Sequence, residues 1–121
     1  SGARKTTVIP ETIIRMTIFE GKLLLNDKSS PSGELDMHWL LQKTHDKTRC
    51  VVHLHPTYTI AAMMAGYDLQ DLASQFPEVH RYTRVASNVG VHPACSTKLA
   101  IDTQNRLKLD RPSFWWTGIV R

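Results

Sequence analysis

Along this chain the spacing of apolar residues changes period several times, and each change predicts an element. Thr6 to Ile9 is a short β-branched run closed by Pro10, and "PETI" then suits one helical turn with Glu11 in its first position. Ile14 to Phe19 alternates as a strand, "EGK" is a tight turn, and Lys22 to Leu25 returns, which predicts a hairpin. Asn26 to Gly33, "NDKSSPSG", is the strongest loop signal. In "ELDMHWLLQKTH" the positions of Leu35, Met37, His38, Leu40 and Leu41 predict an amphipathic helix, with Ser32 placed to cap it. Glu34 and His38, four apart, share a face of that helix.

Arg49 to His55 is an apolar run that predicts a strand, stopped by Pro56 at the start of the next helix, "TYTIAAMMAG", which Gly66 ends. "LQDLASQF" predicts a second short helix. Glu78 to Ala86 and Val89 to Val91 suit strands joined by a turn at Ser87 and Asn88. "PACSTKLAIDTQNRL" suits a helix, and Ser113 to Val120 a last strand. Helices interleaved with strands in this order predict an α/β fold, a sheet covered by helices. Residues 1–121 are read as one domain, because 121 residues bury one core and not two.

Composition narrows the function classes. The net charge is +4, and the basic residues are spread out, with only Arg4–Lys5 and Arg106 to Arg111 locally basic and neither interleaved with aromatics. A nucleic-acid face calls for a clustered basic stripe, so no nucleic-acid partner is expected. The mild excess suits a pocket for a small anion. No run of about 18 apolar residues and no secretory leader is visible, so no membrane partner and a cytoplasmic location are expected. Cys50 and Cys95, both in apolar contexts, are expected as buried free thiols, with a single disulfide left open. The abrupt "SGARK" start and "FWWTGIVR" end suggest a trimmed or incomplete version of a longer domain.

The chemistry concentrates in "CVVHLHPTY", Cys50 to Tyr58. Alternate residues of a strand share a face, so His53 and His55 project together about 6 to 7 Å apart, within reach of one metal ion. Leu54 between them is expected to enter the opposite layer. A strand end before a helix is where α/β folds place ligands. An isolated H-x-H also occurs by chance, as two solvated histidines finishing a strand.

"PSGELDMHWLLQKTHDKTRCVVHLHPTYTIAAMMAG" resembles the class II aldolase/adducin head-domain family, in which a P-[ST]-S-E-x-x-x-H helix precedes a strand ending in H-x-H. "SGAR" is similar to that family's phosphate-binding glycine loop, "TVIPETIIRMTIFEGKLL" to its following strands, and "RYTRVASNVGVHPACSTKLA" to its next crossing segment. The resemblance implies a three-layer α/β/α sandwich around a mainly antiparallel sheet, here apparently incomplete at both ends. It implies a homotetramer that uses zinc or another divalent metal ion to cleave a phosphorylated sugar through an enediolate. Carried over by position, His53 and His55 are metal ligands and Glu34 is the general base. Ser1, Gly2 and Ser32 belong to the phosphate cradle. Epimerase, dehydratase or decarboxylase chemistry, and a non-catalytic adducin-like binding module, are the alternatives within the family.

The chain departs from the family pattern at three places, one being the N-terminal Asn-Gly segment of the phosphate site, which has no counterpart here. Thr117 stands where the third metal histidine is expected, in "FWWTGIV", and Gly33 replaces the second serine of the phosphate motif. His80 and His92 are alternative third ligands, though strand geometry alone brings neither to His53. His38 is expected as a packed structural histidine, His45 as solvated, Met63 and Met64 as core, and at most one of Trp115 and Trp116 as fully buried. Tyr58 and Tyr82 are candidates to reach a substrate or a neighbouring subunit, as tyrosines do in that family.

Overall fold

The computed structural model describes residues 10–20, 22–25, 30–44, 50–107 and 115–116. Ser1, Gly2, the strand expected at Thr6 to Ile9, His45 and Thr117 lie outside the described residues. The chain divides into two units, Ser1–Gly33 and Glu34–Arg121.

In the first unit a 3₁₀ turn, Pro10–Thr12, precedes a hairpin of β1 (Met16–Phe19) and β2 (Lys22–Leu25). The strands are antiparallel, with Ile18 opposite Leu23 and Met16 opposite Leu25. Because alternate residues share a face, Met16, Ile18 and Leu23 lie on one apolar face. The register leaves a two-residue connection after Phe19, where Glu20 takes the positive φ of 49° that such turns demand.

The second unit is built on two helices, α1 (Leu35–Thr44) and α5 (Thr97–Leu107), packed side by side. They run the same way: Thr97 hydrogen-bonds Asp36 near their starts, while the Gln104 amide donates to the Leu40 carbonyl and the Thr44 hydroxyl a few turns on. Met37, Leu99, Ala100 and Thr103 fill the buried faces. Ala100 keeps the α5 surface shallow there, and the buried Thr103 hydroxyl is satisfied by the Leu99 carbonyl at 2.8 Å. The amphipathic pattern of both segments therefore predicted their buried sides. Glu34, whose carbonyl accepts from the His38 N–H, occupies the cap position expected for Ser32. The α5 helix starts four residues later than its pattern suggested. Cys95, with φ of 59°, breaks the helical path, and Ser96 caps the new start by accepting from the Leu99 N–H at 3.2 Å.

Between them lie α2 (Thr57–Met64), α3 (Leu69–Ser74), α4 (Pro77–Tyr82), β3 (Arg84–Val85) and, after α5, β4 (Trp115–Trp116). Gly66 ends α2 as predicted, at φ 89°, with its N–H on the Met63 carbonyl and the Tyr67 N–H on the Ala62 carbonyl. Asp68 then caps α3 through the Gln70 N–H. Asn88 clasps this junction. Its amide donates to the Tyr67 carbonyl, its side-chain oxygen accepts from the Leu69 N–H, and its backbone N–H donates to Asp68.

Several strand expectations are overturned. Glu78 to Ala86 is mostly helix α4, because Pro77 at the first helical position presets φ and Glu78 favours the first turn. Only Arg84–Val85 remains a strand, parallel to Trp115–Trp116. Val89 keeps a single bridge, and Val89 to Val91 forms no strand. Residues 50–56 carry no strand assignment, since an apolar run becomes a strand only when a neighbour supplies the ladder. The described architecture is thus mixed helix and strand, with one antiparallel and one parallel two-stranded sheet. Among the described residues no helix is long and apolar enough to cross a membrane.

Asn88 satisfies three partners at this junction. Asn88→Ala is expected to lower stability by about 1–3 kcal/mol, the cost of leaving such groups unpaired. Leu99→Ala, at a side chain 1% exposed, should cost about 2–5 kcal/mol. Urea unfolding of the two variants measures both, and a loss at Leu99 no larger than at an exposed site would contradict the packing described.

Candidate active site

Each proposed site residue owes its place to a local feature. His53 and His55 sit just before α2, where Pro56 holds extended backbone (φ −69°, ψ 123°) and blocks any earlier helical start. The two rings come together although the strand expected to align them is not formed. Their Nε2 atoms are 3.1 Å apart, the centroids 4.7 Å, and the planes tilt by 48°. One ring donates and the other accepts across that gap. His53 is half-buried and His55 exposed.

The pair also fits a divalent metal ion. Imidazole nitrogens bind zinc at about 2.0–2.1 Å, so two of them reach one ion whenever they are less than about 4 Å apart. Neutral imidazole is a borderline donor suited to zinc and its neighbours. Among the described residues, however, no group of three His, Cys, Asp or Glu converges on one metal-sized space. The described part of the centre is therefore a two-nitrogen pair.

The surroundings of that pair differ from expectation. Val52 and Leu54 are exposed, so Leu54 does not enter an opposite layer. Met63 is core, but Met64 is 76% exposed, because the two adjacent positions lie about 100° apart around α2. Cys50 and Cys95 are free, and both are exposed rather than buried, one on the unpaired segment and one at a sharp turn.

Glu34 is buried, 5% exposed, at the start of α1. Its Oε1 accepts from the Cys95 backbone N–H at 3.4 Å, which ties the start of α1 to the approach of α5. A carboxylate in that position is shielded from bulk water yet held by a fixed donor. His38, on the same helix, is half-buried, in keeping with a structural role. Ser32 lies in the first unit, in the irregular stretch before α1.

His92 serves a second cluster that sequence reasoning missed. Its Nε2 lies 2.9 Å from Asp102 Oδ2, the Gly90 N–H donates to the same oxygen at 3.1 Å, and Arg106 Nε is 3.5 Å from Oδ1. Arg106 also donates to the Ser87 hydroxyl. The i, i+4 spacing of Asp102 and Arg106 was the available signal; nothing in the chain marked His92 as their neighbour. The hydrogen bond from His92, and then those of the Gly90 amide and the Arg106 charge, hold the Asp102 carboxyl below its ordinary value against the opposing effect of partial burial. His80 falls in α4, and its side chain lies outside the described set. Tyr58 and Tyr82 are both largely exposed.

The model of the class II aldolase and adducin N-terminal domain matches residues 1–111. The chain belongs to that family. Comparison with curated proteins and with solved structures returned no match. This aldolase/adducin domain comes from a family with both enzymes and non-catalytic adducins, so membership supports aldolase-type chemistry in general and leaves the activity of the individual chain to its site.

The Asp102 cluster gives a pH prediction whose sign follows from the lowered carboxyl. A carboxyl that ionises more readily folded than unfolded stabilises the fold above the unfolded value and loses that contribution as pH falls through the folded one. Stability of the parent should therefore drop as pH falls below about 4. Asp102→Asn should flatten that part of the curve. Urea midpoints between pH 2 and 6 measure it, and parallel curves for parent and variant would remove the cluster from the account.

Proposed function

We propose that this domain is a metal-dependent lyase that splits a carbon–carbon bond of a phosphorylated sugar through an enediolate. The observation that carries this reading is the convergence of His53 and His55 Nε2 atoms at 3.1 Å, in a family member that also keeps a buried Glu34. His53 and His55 would hold a zinc or other divalent ion, with further ligands supplied from residues outside the described set or by substrate. The ion's contribution is Lewis-acid stabilisation of negative charge on the substrate oxygens.

The chain's own residues supply the rest. Glu34 acts as the general base, its burial keeping water from competing for the proton it takes, and later returns that proton. Ser1, Gly2 and Ser32 form the phosphate cradle, hydroxyls and backbone amides being suited to a dianion. The complete domain is a single three-layer sandwich around a mainly antiparallel sheet. It assembles as a homotetramer in the cytoplasm and has no nucleic-acid or membrane partner. Epimerase, dehydratase or decarboxylase activity would use the same metal and base and differ only after the enediolate.

One observation favours a second reading. Thr117 replaces the expected third histidine, and no three-ligand group converges among the described residues. A non-catalytic, adducin-like binding module would need neither.

Metal analysis separates the two readings. The purified, zinc-equilibrated chain should carry close to one ion per subunit, and His53→Ala/His55→Ala should lose most of it. Equal metal content in parent and double variant would end the metal-centre reading. For the base, Glu34→Gln should lower turnover of ketose 1-phosphates by about two to four orders of magnitude, with little change in folding or substrate binding. Near-normal turnover would reduce Glu34 to a cap of α1.

A further inference from the structure

A helix that is apolar all round belongs in a core, and outside a core it needs a covering surface. The eight residues of α2 include no charged side chain, yet Met63 is the one residue of that helix that is buried. The absence of charge extends beyond the helix. Charged residues make up 21% of the chain, and no Asp, Glu, Lys or Arg falls between Cys50 and Tyr67.

Within that stretch large apolar side chains are exposed. Val52 and Leu54 are exposed before α2, Tyr58 is 91% and Met64 76% exposed on it, and Tyr67 is exposed after Gly66. Each helical residue advances about 100° around the axis, which puts Tyr58, Ala61 and Met64 on the side turned away from Met63. Ala61, also exposed, keeps the middle of that side low between two larger side chains. A small residue at such a point lets a second helix approach closely, since the side chains at the contact set the distance between axes. Single exposed apolar residues are ordinary. A charge-free run of them with tyrosine and methionine has the composition of the centre of a protein–protein interface.

The same lack of charge selects the partner. A two-fold contact lays a patch on its identical copy, so a patch with net charge repels itself. The chain as a whole carries +4, and two copies repel over much of their surface. Residues 50–67 offer an approach without that repulsion. A foreign partner sets no such condition, because its surface can carry the opposite charge.

We propose that residues 50–67, with the exposed side of α2 at their centre, form a two-fold interface with a second copy of this chain. The contact is the same in a lyase and in a non-catalytic module, so it stands or falls apart from the reading of the active site.

The test reads mass and not turnover. Light scattering of the zinc-equilibrated full chain at micromolar concentration should return an even number of 13.7 kDa chains. Tyr58→Lys/Met64→Lys sets like charges on both sides of the contact, and the mass should fall to half that of the parent. Tyr58→Asp/Met64→Asp should do the same. Mixing these two variants in equal amounts should restore the parent's mass, since each patch of lysines then meets a patch of aspartates. Phe76→Lys, at an exposed apolar residue outside the stretch, should leave the mass unchanged. Circular dichroism and a urea midpoint close to the parent's establish that each variant is folded. Where a double variant does not fold, the single change at Tyr58, the more exposed site, takes its place. A parent that is monomeric assigns the patch to a different protein or to a lipid surface and overturns the proposal. An unchanged mass in the lysine and aspartate variants, a fall that mixing does not reverse, or an equal fall in Phe76→Lys overturns it as well.

Discussion

The second unit depends on the packing of α1 against α5. Leu99 and Ala100, each 1% exposed, press against a helix whose own buried residue is Met37, and Thr103 completes the seam with its hydroxyl turned inward to the Leu99 carbonyl. Full burial of a side chain such as Leu99 is worth about 1.5–3 kcal/mol, more than any single polar contact nearby. The parallel run of the two helices has a structural consequence. It brings their N-terminal ends together, so Glu34 at the start of one meets the Cys95 turn at the start of the other. Gln104, bridging to Leu40 and Thr44, holds the register of the helices, and that register decides which residues meet at their starts.

Away from that seam, polar ties add to the burial of Met63, Ala73, Ala86 and Val89. Residues 86–92 run without helix or paired strand apart from one bridge at Val89, and within them only Ala86 and Val89 are buried. Two clusters fasten it. Asn88 reaches to Tyr67, Asp68 and Leu69, and the Asp102 carboxylate gathers Gly90 and His92 onto α5. Both are closed arrangements in which one carboxylate or carboxamide satisfies several groups at once. Loss of one member therefore leaves others unpaired, which is why such networks are sensitive to single substitutions.

The histidine pair lies in a different environment. His53 and His55 are held together by backbone geometry and by each other, in a segment whose Val52 and Leu54 face solvent. Glu34 is the opposite case, buried and fastened. The candidate site thus divides between a histidine pair beside exposed residues and a buried carboxylate.

How much of this was legible in the chain depended on whether the interactions were local. The hairpin, α1, α2 with its Gly66 stop and α3 follow from short-range period and caps, and each was readable from neighbouring residues. The family followed from motif spacing between Pro31 and Gly66. Tertiary structure decided what local pattern leaves open. "PEVHRYTRV" has an ambiguous period, and Pro77 with its surroundings turned most of it into helix. The run from Cys50 to His55 reads as a strand, but a strand exists only where another chain segment completes its hydrogen bonds. Exposure of Cys50, Cys95, Leu54 and Met64 likewise depends on which neighbours arrive from elsewhere in the chain. The pairings of His92 with Asp102 and of Glu34 with Cys95 span 10 and 61 residues. No periodicity encodes them, because they exist only once α1 and α5 have packed and the turn before α5 has taken its left-handed angle.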